Sequence, residues 1–536
     1  MRFLLVLLSF TLFGFTCKPP SYKDQREFAK GQIAQSCTNG GSCPVPAPVK
    51  ALRADPDMPW QELRDSFQSH LDRIEDFGDL QIPVPGGAAA VVWEGELRFA
   101  EGFGSKDRET HEAFQKDTLI TSGSLTKLVT ALTALILVEQ GKLHLDTPIA
   151  AELKTSAFPF KRRNEDQVAA DSITLRQLLT HTAGLPDELP SGIEEYGTSV
   201  CTSGGTAFTD YFRLHGEDPL WSKPGAVWNY SNPSYMLVAA AIEAVTQERF
   251  EAVAQRLVLE PAGMQSASFE AETAEAGNFA YGYEYWAPQG QPPKLTRYQP
   301  RSTPCRIFQP AAGLKASVLD YAKLLQEVMR PDSRLASKST RQLLLKAQVP
   351  THDEAWDYSF GLFVDQHYKG LALYAHDAVA WGYKALMVFV PEKQFALVLM
   401  QNGGQTFSEP LWDLALKTTD RFLGLPSGPR NAYEKPELSS ELSGTYEAWT
   451  YDDEKFTEAA PAYQKVNFRI EKLPEDSLWT WKEELWGTGQ LREESYPLFS
   501  VTRPHAGPLA LRLVRASDRD LYLVNRSFVA KRLREL

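Results

Sequence analysis

Apolar positions along the chain change period several times, and each change marks an element. Between Trp60 and Phe77, the residues Leu63, Phe67, Leu71 and Ile74 fall on one side of a helix. After Pro85-Gly86-Gly87 the pattern becomes extended. AAAVVWEGELRFAEGFG reads as two strands joined by a tight turn at Glu94-Gly95. From Ser124 the period is helical again, with Leu125, Leu128, Val129, Leu132, Leu135 and Ile136 at three- and four-residue steps and Gly141 placed to end it. Ala134, Leu137 and Val138 carry the apolar character round to nearly every face, which predicts a helix inside a large domain.

Farther on, ITLRQLLTHTAGLP (Ile173 to Pro186) reads as a short helix stopped by Gly184 and Pro186. At its end, His181 is expected to hydrogen-bond last-turn carbonyls. PGAVWNYSNPSYMLVAAAIEAVT (Pro224 to Thr246) gives a loop and then a second buried helix, with Tyr230-Ser231-Asn232 just before the helix starts. AAGLKASVLDYAKLLQEVM (Ala311 to Met329) reads as a loop, an N-cap and a surface helix. Strands follow at Leu371 to His376, Ala385 to Val390 and Phe395 to Gln401, and then a helix from Leu411 to Phe422. Beyond Pro426-Ser427-Gly428-Pro429 the pattern becomes seven short aromatic-rich strands from about Leu438, which predicts a small antiparallel barrel or sandwich.

At 536 residues the chain is long enough for two or more domains. Its formal net charge of −12, with no offsetting basic patch, argues against nucleic acid as a partner. Met1-Arg2 followed by the apolar run Phe3 to Phe15 reads as a secretory leader, too short to span a bilayer. Cys17 then precedes a polar stretch, which resembles a bacterial lipoprotein signal whose cysteine becomes the lipidated first residue. Export is thus expected, to the periplasm or cell envelope, with contact to membrane only through that anchor. Cys37, Cys43, Cys201 and Cys305 remain, an even number suited to an oxidising compartment. Of the three possible pairings, Cys37 with Cys43 and Cys201 with Cys305 is the expected one. No spacing suits zinc, and no phosphate-binding glycine loop is present, so neither metal nor cofactor is expected.

The chemistry concentrates at the first turn of the Ser124 helix. Ser124 and Lys127 are three apart and share a face. A serine hydroxyl becomes a nucleophile when a neighbour accepts its proton, and a partly desolvated lysine gives up its own proton readily enough to do so. The positive end of the helix favours the oxyanion that follows. Tyr230 adds a phenol that is a stronger acid beside an ammonium, and Asn232 adds amide donors and a carbonyl acceptor. His376-Asp377-Ala378, at a strand end, offers backbone N–H groups to a developing oxyanion.

With these pieces in order, residues from about 60 to 425 resemble the serine beta-lactamase-like hydrolases, a family of class C beta-lactamases, D-Ala-D-Ala carboxypeptidases, D-aminopeptidases and esterases. Ser124-Leu-Thr-Lys127, ITLRQLLTHTAGLP, Pro224-Gly225 to Tyr230-Ser231-Asn232, EPAGM and AAGLKAS stand in the family's order. The resemblance implies an α/β (α+β) fold in which an antiparallel sheet flanked by helices meets a helical region, with the active site at the junction. It implies Ser124 as nucleophile, Lys127 as its proton partner and Tyr230 as general base. Asn232 would orient the substrate amide, and His376 would stand in the third motif. The N–H groups of Ser124 and Val379 would form the oxyanion hole, and the substrate would be a small-molecule or peptide acyl compound. The C-terminal piece resembles the lipocalin-like domain appended to some of these hydrolases.

The resulting division is a leader over 1–17, a tether over 18–58, the hydrolase domain over 59–425, a linker over 426–437 and a β-rich domain over 438–536. One departure changes the picture. The third motif ordinarily ends in glycine, and here it ends in Ala378, whose methyl group is expected to crowd the substrate or the facing loop. That supports a second reading, a catalytically impaired envelope-binding protein using the same cleft.

Overall fold

The computed structural model describes residues 58–533 except 73–74, 78–79, 83, 153–169, 187–218, 271–277, 287–293, 299–305, 352–355, 381, 404–408, 428–442, 452–462, 473–477, 484–486, 496–497, 504–505, 516–519 and 526–527. The leader, the tether as far as residue 57 and all five cysteines (Cys17, Cys37, Cys43, Cys201 and Cys305) lie outside the described residues.

An eight-stranded antiparallel sheet organises the larger domain. Its strands are β1 (Gly86–Trp93), β2 (Glu96–Gly104), β3 (Val349–Pro350), β4 (Asp357–Tyr358), β5 (Phe363–Tyr368), β6 (Leu371–Ala380), β7 (Tyr383–Val390) and β8 (Phe395–Gln401). They lie side by side in the order β2-β1-β8-β7-β6-β5-β4-β3. The central strands are apolar at almost every position because both faces are covered. Ala89 and Val91 of β1, Leu386 and Val388 of β7 and Leu397 and Leu399 of β8 face one core. Their alternates Ala88, Ala90, Met387, Phe389, Val398 and Met400 face the other.

The first core is closed by α1 (Met58–Leu71) through Leu63, Phe67 and Leu71, together with the last helix of this domain, Glu409–Leu423. The second core is larger and holds α2 (Thr126–Glu139), α3 (Asn232–Thr246) and α4 (Val318–Met329). The β1–β2 turn is as expected: Glu94 and Gly95 both take positive φ, 52° and 80°, the pair that a two-residue hairpin requires. Gly141 ends α2 at φ 68°.

Several boundaries differ from the sequence pattern. The first helix stops at Leu71 rather than running to Phe77, because Glu75–Phe77 is a strand that pairs with Leu80–Ile82. Ile74 lies outside the described residues. The helix after Ile173 spans only Leu175–Leu179, with Thr174 and Gln177 forming a capping box at its start. Strand β6 continues past His376 to Ala380.

The C-terminal piece is a closed barrel of β9 (Gly444–Tyr451), β10 (Tyr463–Lys472), β11 (Leu478–Glu483), β12 (Gly487–Ser495), β13 (Leu498–Arg503), β14 (Ala506–Arg515), β15 (Leu521–Asn525) and β16 (Phe528–Arg532). Each strand pairs with the next, and β16 returns to β9 to remove the edges. Seven strands were legible as apolar runs; the eighth, β12, is GTGQLREES and carries no such signal. Val529 of β16 packs against Val227 of the larger domain, with Trp221 and Ala226 beside it.

Candidate active site

Ser124 sits at a junction that three segments build. It lies in a single 3-10 turn, Gly123–Leu125, that leads directly into α2. From Thr118 to Leu137 every residue is buried except Ser124, which is partly exposed. Within this stretch Ser124 alone reaches solvent. The turn needs Gly123: its φ is 53°, and a Cβ there would stand 2.9 Å from the Ala378 Cβ of β6.

Lys127, one turn on, is fully buried. Its Nζ lies 3.0 Å from Ser124 Oγ, 2.7 Å from Asn232 Oδ1 and 2.9 Å from the Ala311 carbonyl oxygen. An ammonium has three N–H donors, and three oxygens are in reach. Two of them are carbonyl oxygens, which only accept. A neutral amine keeps two N–H groups, one for each carbonyl, and its lone pair then faces Ser124 Oγ. The same cage therefore suits an ammonium donating to serine oxygen and an amine receiving the serine proton.

Tyr230 completes the cluster from the other side, its hydroxyl donating to Ser124 Oγ at 2.8 Å. The Lys127 ammonium position is 4.7 Å from the centre of the Tyr230 ring and 5.6 Å from that of Tyr235. The two phenols differ in role. Burial, reinforced by the neighbouring Tyr230, pushes the Tyr235 phenol well above its ordinary range, and its hydroxyl donates to the Leu179 carbonyl at 2.9 Å. Asn232 is the first residue of α3, capped by Ser231, whose Oγ accepts from the Ser234 N–H at 3.3 Å.

Strand β6 supplies the facing wall. Strand β5 begins at Phe363 opposite Ala375, so β6 runs beyond it from His376 and lies against the Gly123–Leu125 turn. Ala380 pairs with Tyr383 to close the β6–β7 hairpin, and pairs alternate between hydrogen-bonded and not. Val379, opposite Lys384, therefore turns its N–H away from β7 toward the serine turn. That nitrogen is 3.7 Å from where a Gly123 Cβ would be. The Val379 side chain itself is 46% exposed, at the rim of the site.

Four of the residues singled out in the sequence (Ser124, Lys127, Tyr230 and Asn232) thus meet, with the Val379 N–H alongside. His376, the third-motif side chain on β6, stands beside Tyr230. It is fully buried, with Nδ1 donating to the Asp377 carbonyl at 2.7 Å. Since a neutral ring that donates through Nδ1 accepts through Nε2, the Tyr358 hydroxyl at 3.2 Å is the donor there. The ring lies beside that of Tyr230, 6.2 Å away centre to centre. Of the two neighbours expected for the Ala378 methyl group, substrate or facing loop, it meets the loop. Ala378 is 3% exposed and belongs to the core, its methyl group set over Gly123 rather than projecting into the cleft.

His181 does not serve the last-turn carbonyls through Nδ1, which instead accepts the Ser231 N–H at 3.0 Å. The Ala311 carbonyl was not foreseen as a ligand of Lys127, because a backbone acceptor has no side-chain signature; only its place within AAGLKAS marks it. Gly361 was likewise not foreseen. It carries the chain across the first turn of α2, where a Cβ would stand 2.9 Å from the Lys127 carbonyl oxygen.

A family model described as Beta-lactamase matches residues 70–419. Esterase EstB of Burkholderia gladioli is 29% identical over 287 residues, 49% of this chain and 70% of that protein. Protein flp of Staphylococcus aureus (strain N315) is 23% identical over 343 residues, which are 63% of this chain, and the chain spans 64% of flp's own length. Among solved structures, SurE with D-Leu superposes with a TM-score of 0.63 at 19% identity, covering 90% of this chain and 100% of that one. The octameric penicillin-binding protein homologue from Pyrococcus abyssi gives 0.56 at 21% identity, covering 89% and 100%.

Proposed function

The chain belongs to the beta-lactamase family, and on that premise we propose that it is an exported acyl hydrolase working through an ester on Ser124. The observation that carries this reading is the double contact on one partly exposed hydroxyl: Tyr230 at 2.8 Å and Lys127 at 3.0 Å. Ser124 Oγ attacks the acyl carbon while its proton passes to the Lys127–Tyr230 pair. The oxyanion forms against the N–H groups of Ser124 and Val379. The C–O or C–N bond to the leaving group then breaks, and the Tyr230 hydroxyl supplies the proton that group needs. The Tyr230 phenolate left behind then takes a proton from a water molecule, whose oxygen attacks the acyl carbon; the Ser124 ester bond breaks and that proton returns to Ser124 Oγ.

The substrate we favour is a neutral ester or an amide of a small acyl group. The third motif brings no lysine, and the His376 nitrogens contact the Tyr358 hydroxyl and the Asp377 carbonyl, which supports esters over carboxylate-bearing lactams. The relative named as an esterase supports the same class, and the structure of SurE with D-Leu adds D-amino-acid derivatives as the next to try. The second reading, a catalytically impaired envelope-binding protein, rests on Ala378, and the placement of its methyl group over Gly123 supports the hydrolase instead. A fluorophosphonate should add its mass to the wild-type chain and not to Ser124→Ala. Equal labelling of both, or of neither, would make the assignment wrong.

The leader over residues 1–17 supports export, with Cys17 as an acyl anchor and the closed barrel as a lipocalin-like appendage. In a bacterial host, Cys17→Ala is expected to move the protein from the membrane fraction to the soluble envelope fraction. Recovery of both forms in the soluble fraction would leave the anchor without support.

A further inference from the structure

The segments around Tyr230 and His181 run together and are joined at several points. Trp221 N–H donates to the Gly184 carbonyl at 2.8 Å, Gly225 N–H to the Thr182 carbonyl at 2.7 Å and Asn229 N–H to the His181 carbonyl at 2.8 Å. Gly184 permits the approach, since a Cβ there would stand 2.1 Å from the Ser222 carbonyl oxygen. Where the two segments reach the catalytic phenol, a side chain takes over from the backbone. His181 Nδ1 accepts the Ser231 N–H at 3.0 Å, and its ring lies on the Tyr230 ring, centre to centre 4.3 Å and tilted by 34°.

His181 thus holds the residue before Tyr230 through its carbonyl, the residue after it through its ring nitrogen, and the phenol itself through its ring face. Its backbone is in the left-handed region, φ 57°, a conformation that histidine and asparagine adopt more readily than most side chains. The ring is fully buried, among Trp228, Tyr235 and Tyr358. Because Nδ1 receives an N–H, it must be an unprotonated acceptor.

From this geometry we infer that His181 is a positioning residue for acyl transfer, and that its Nδ1 acceptor fixes the Tyr230 hydroxyl against Ser124. The inference rests on the reading of Ser124, Lys127 and Tyr230 given above. It does not place His181 in contact with substrate. Its effect belongs to kcat, because a displaced phenol slows proton transfer without altering how the acyl compound is held.

Two variants that tolerate the backbone conformation separate the acceptor from the rest. His181→Gly keeps the carbonyl and removes the ring. His181→Asn places Oδ1 where Nδ1 stood and restores an acceptor without an aromatic face. With a short-chain nitrophenyl ester, kcat of His181→Gly should fall by roughly 30- to 100-fold with KM within about twofold, following the cost of misplacing a catalytic group. His181→Asn should recover at least about tenfold of that loss.

Circular dichroism and melting temperature establish that each variant folds, and fluorophosphonate titration normalises each rate to competent sites. Should His181→Gly fail to fold, His181→Asn against wild type still decides. The inference stands if the folded Asn variant keeps kcat within about tenfold of wild type, and falls if it loses more than that. It also falls if His181→Gly retains wild-type kcat, or if both variants lose kcat equally. A wild-type chain that neither labels nor turns over would overturn the Ser124 assignment and this inference with it. A wild type that labels at Ser124 while His181 is indifferent would overturn this inference alone.

Discussion

Lys127→Met should reduce kcat/KM for a nitrophenyl ester by about 10³- to 10⁴-fold, and Lys127→Arg should do no better. Methionine matches the length of the lysine stem within the buried environment of the site, but it neither accepts the serine proton nor donates to the oxygen. Arginine is the informative comparison. It retains a positive charge, yet its guanidinium is never neutral and its planar fork of donors cannot fit a cage of three oxygens at 2.7 to 3.0 Å around one nitrogen. If Lys127 acted only as a fixed charge that stabilises a Tyr230 phenolate, the arginine variant would retain much of the activity. Recovery to within about tenfold of wild type would therefore assign the proton to tyrosine alone. Both variants need a check of fold, because removing the lysine leaves Asn232 Oδ1 and the Ala311 carbonyl without the N–H they accept, at about 1–3 kcal/mol for each buried acceptor.

What the sequence made legible follows from which interactions are local. The β1–β2 hairpin and helix α2 were readable because Glu94-Gly95 and the apolar period of Leu125 to Ile136 act within a few residues of themselves. Strand β5, FVDQHY, was not, because its polar Asp365, Gln366 and His367 interrupt the apolar run and its position is set by pairing with β6. The Ser124, Lys127, Tyr230 and Asn232 quartet was readable through ordered motifs, since each is a side chain with distinctive chemistry. The groups that complete the site have no such mark. The Ala311 carbonyl is backbone, and the His181 ring reaches Ser231 across 50 positions of chain. The Ala378 methyl group looked harmful in the sequence alone because its partner, Gly123, comes 255 residues earlier and meets it only in the folded sheet.

That last pair leads to a test of coupling between the nucleophile turn and the β6 wall. In the native chain a methyl group is carried by Ala378 and withheld by Gly123, and the space between them holds one methyl group, not two. Gly123→Ala would bring its Cβ to 2.9 Å from the Ala378 Cβ and 3.4 Å from that of Ala380, and would put an alanine at φ 53°. Something must move, and the residue attached is Ser124, whose oxygen and N–H both need accurate placement. The kcat for ester hydrolysis should fall by about 10²- to 10³-fold, since a shift of about an ångström at reacting groups costs on that order. Ala378→Gly alone should stay within about fivefold of wild type, because it removes a core methyl group that faces no substrate. The double variant Gly123→Ala/Ala378→Gly should recover at least about tenfold over Gly123→Ala, a coupling of roughly 1.4 kcal/mol. Recovery would be incomplete, because the unfavourable alanine φ remains, at about 1–2 kcal/mol. Strictly additive losses would mean that the two residues do not share this space, and that the oxyanion wall is set by some other contact.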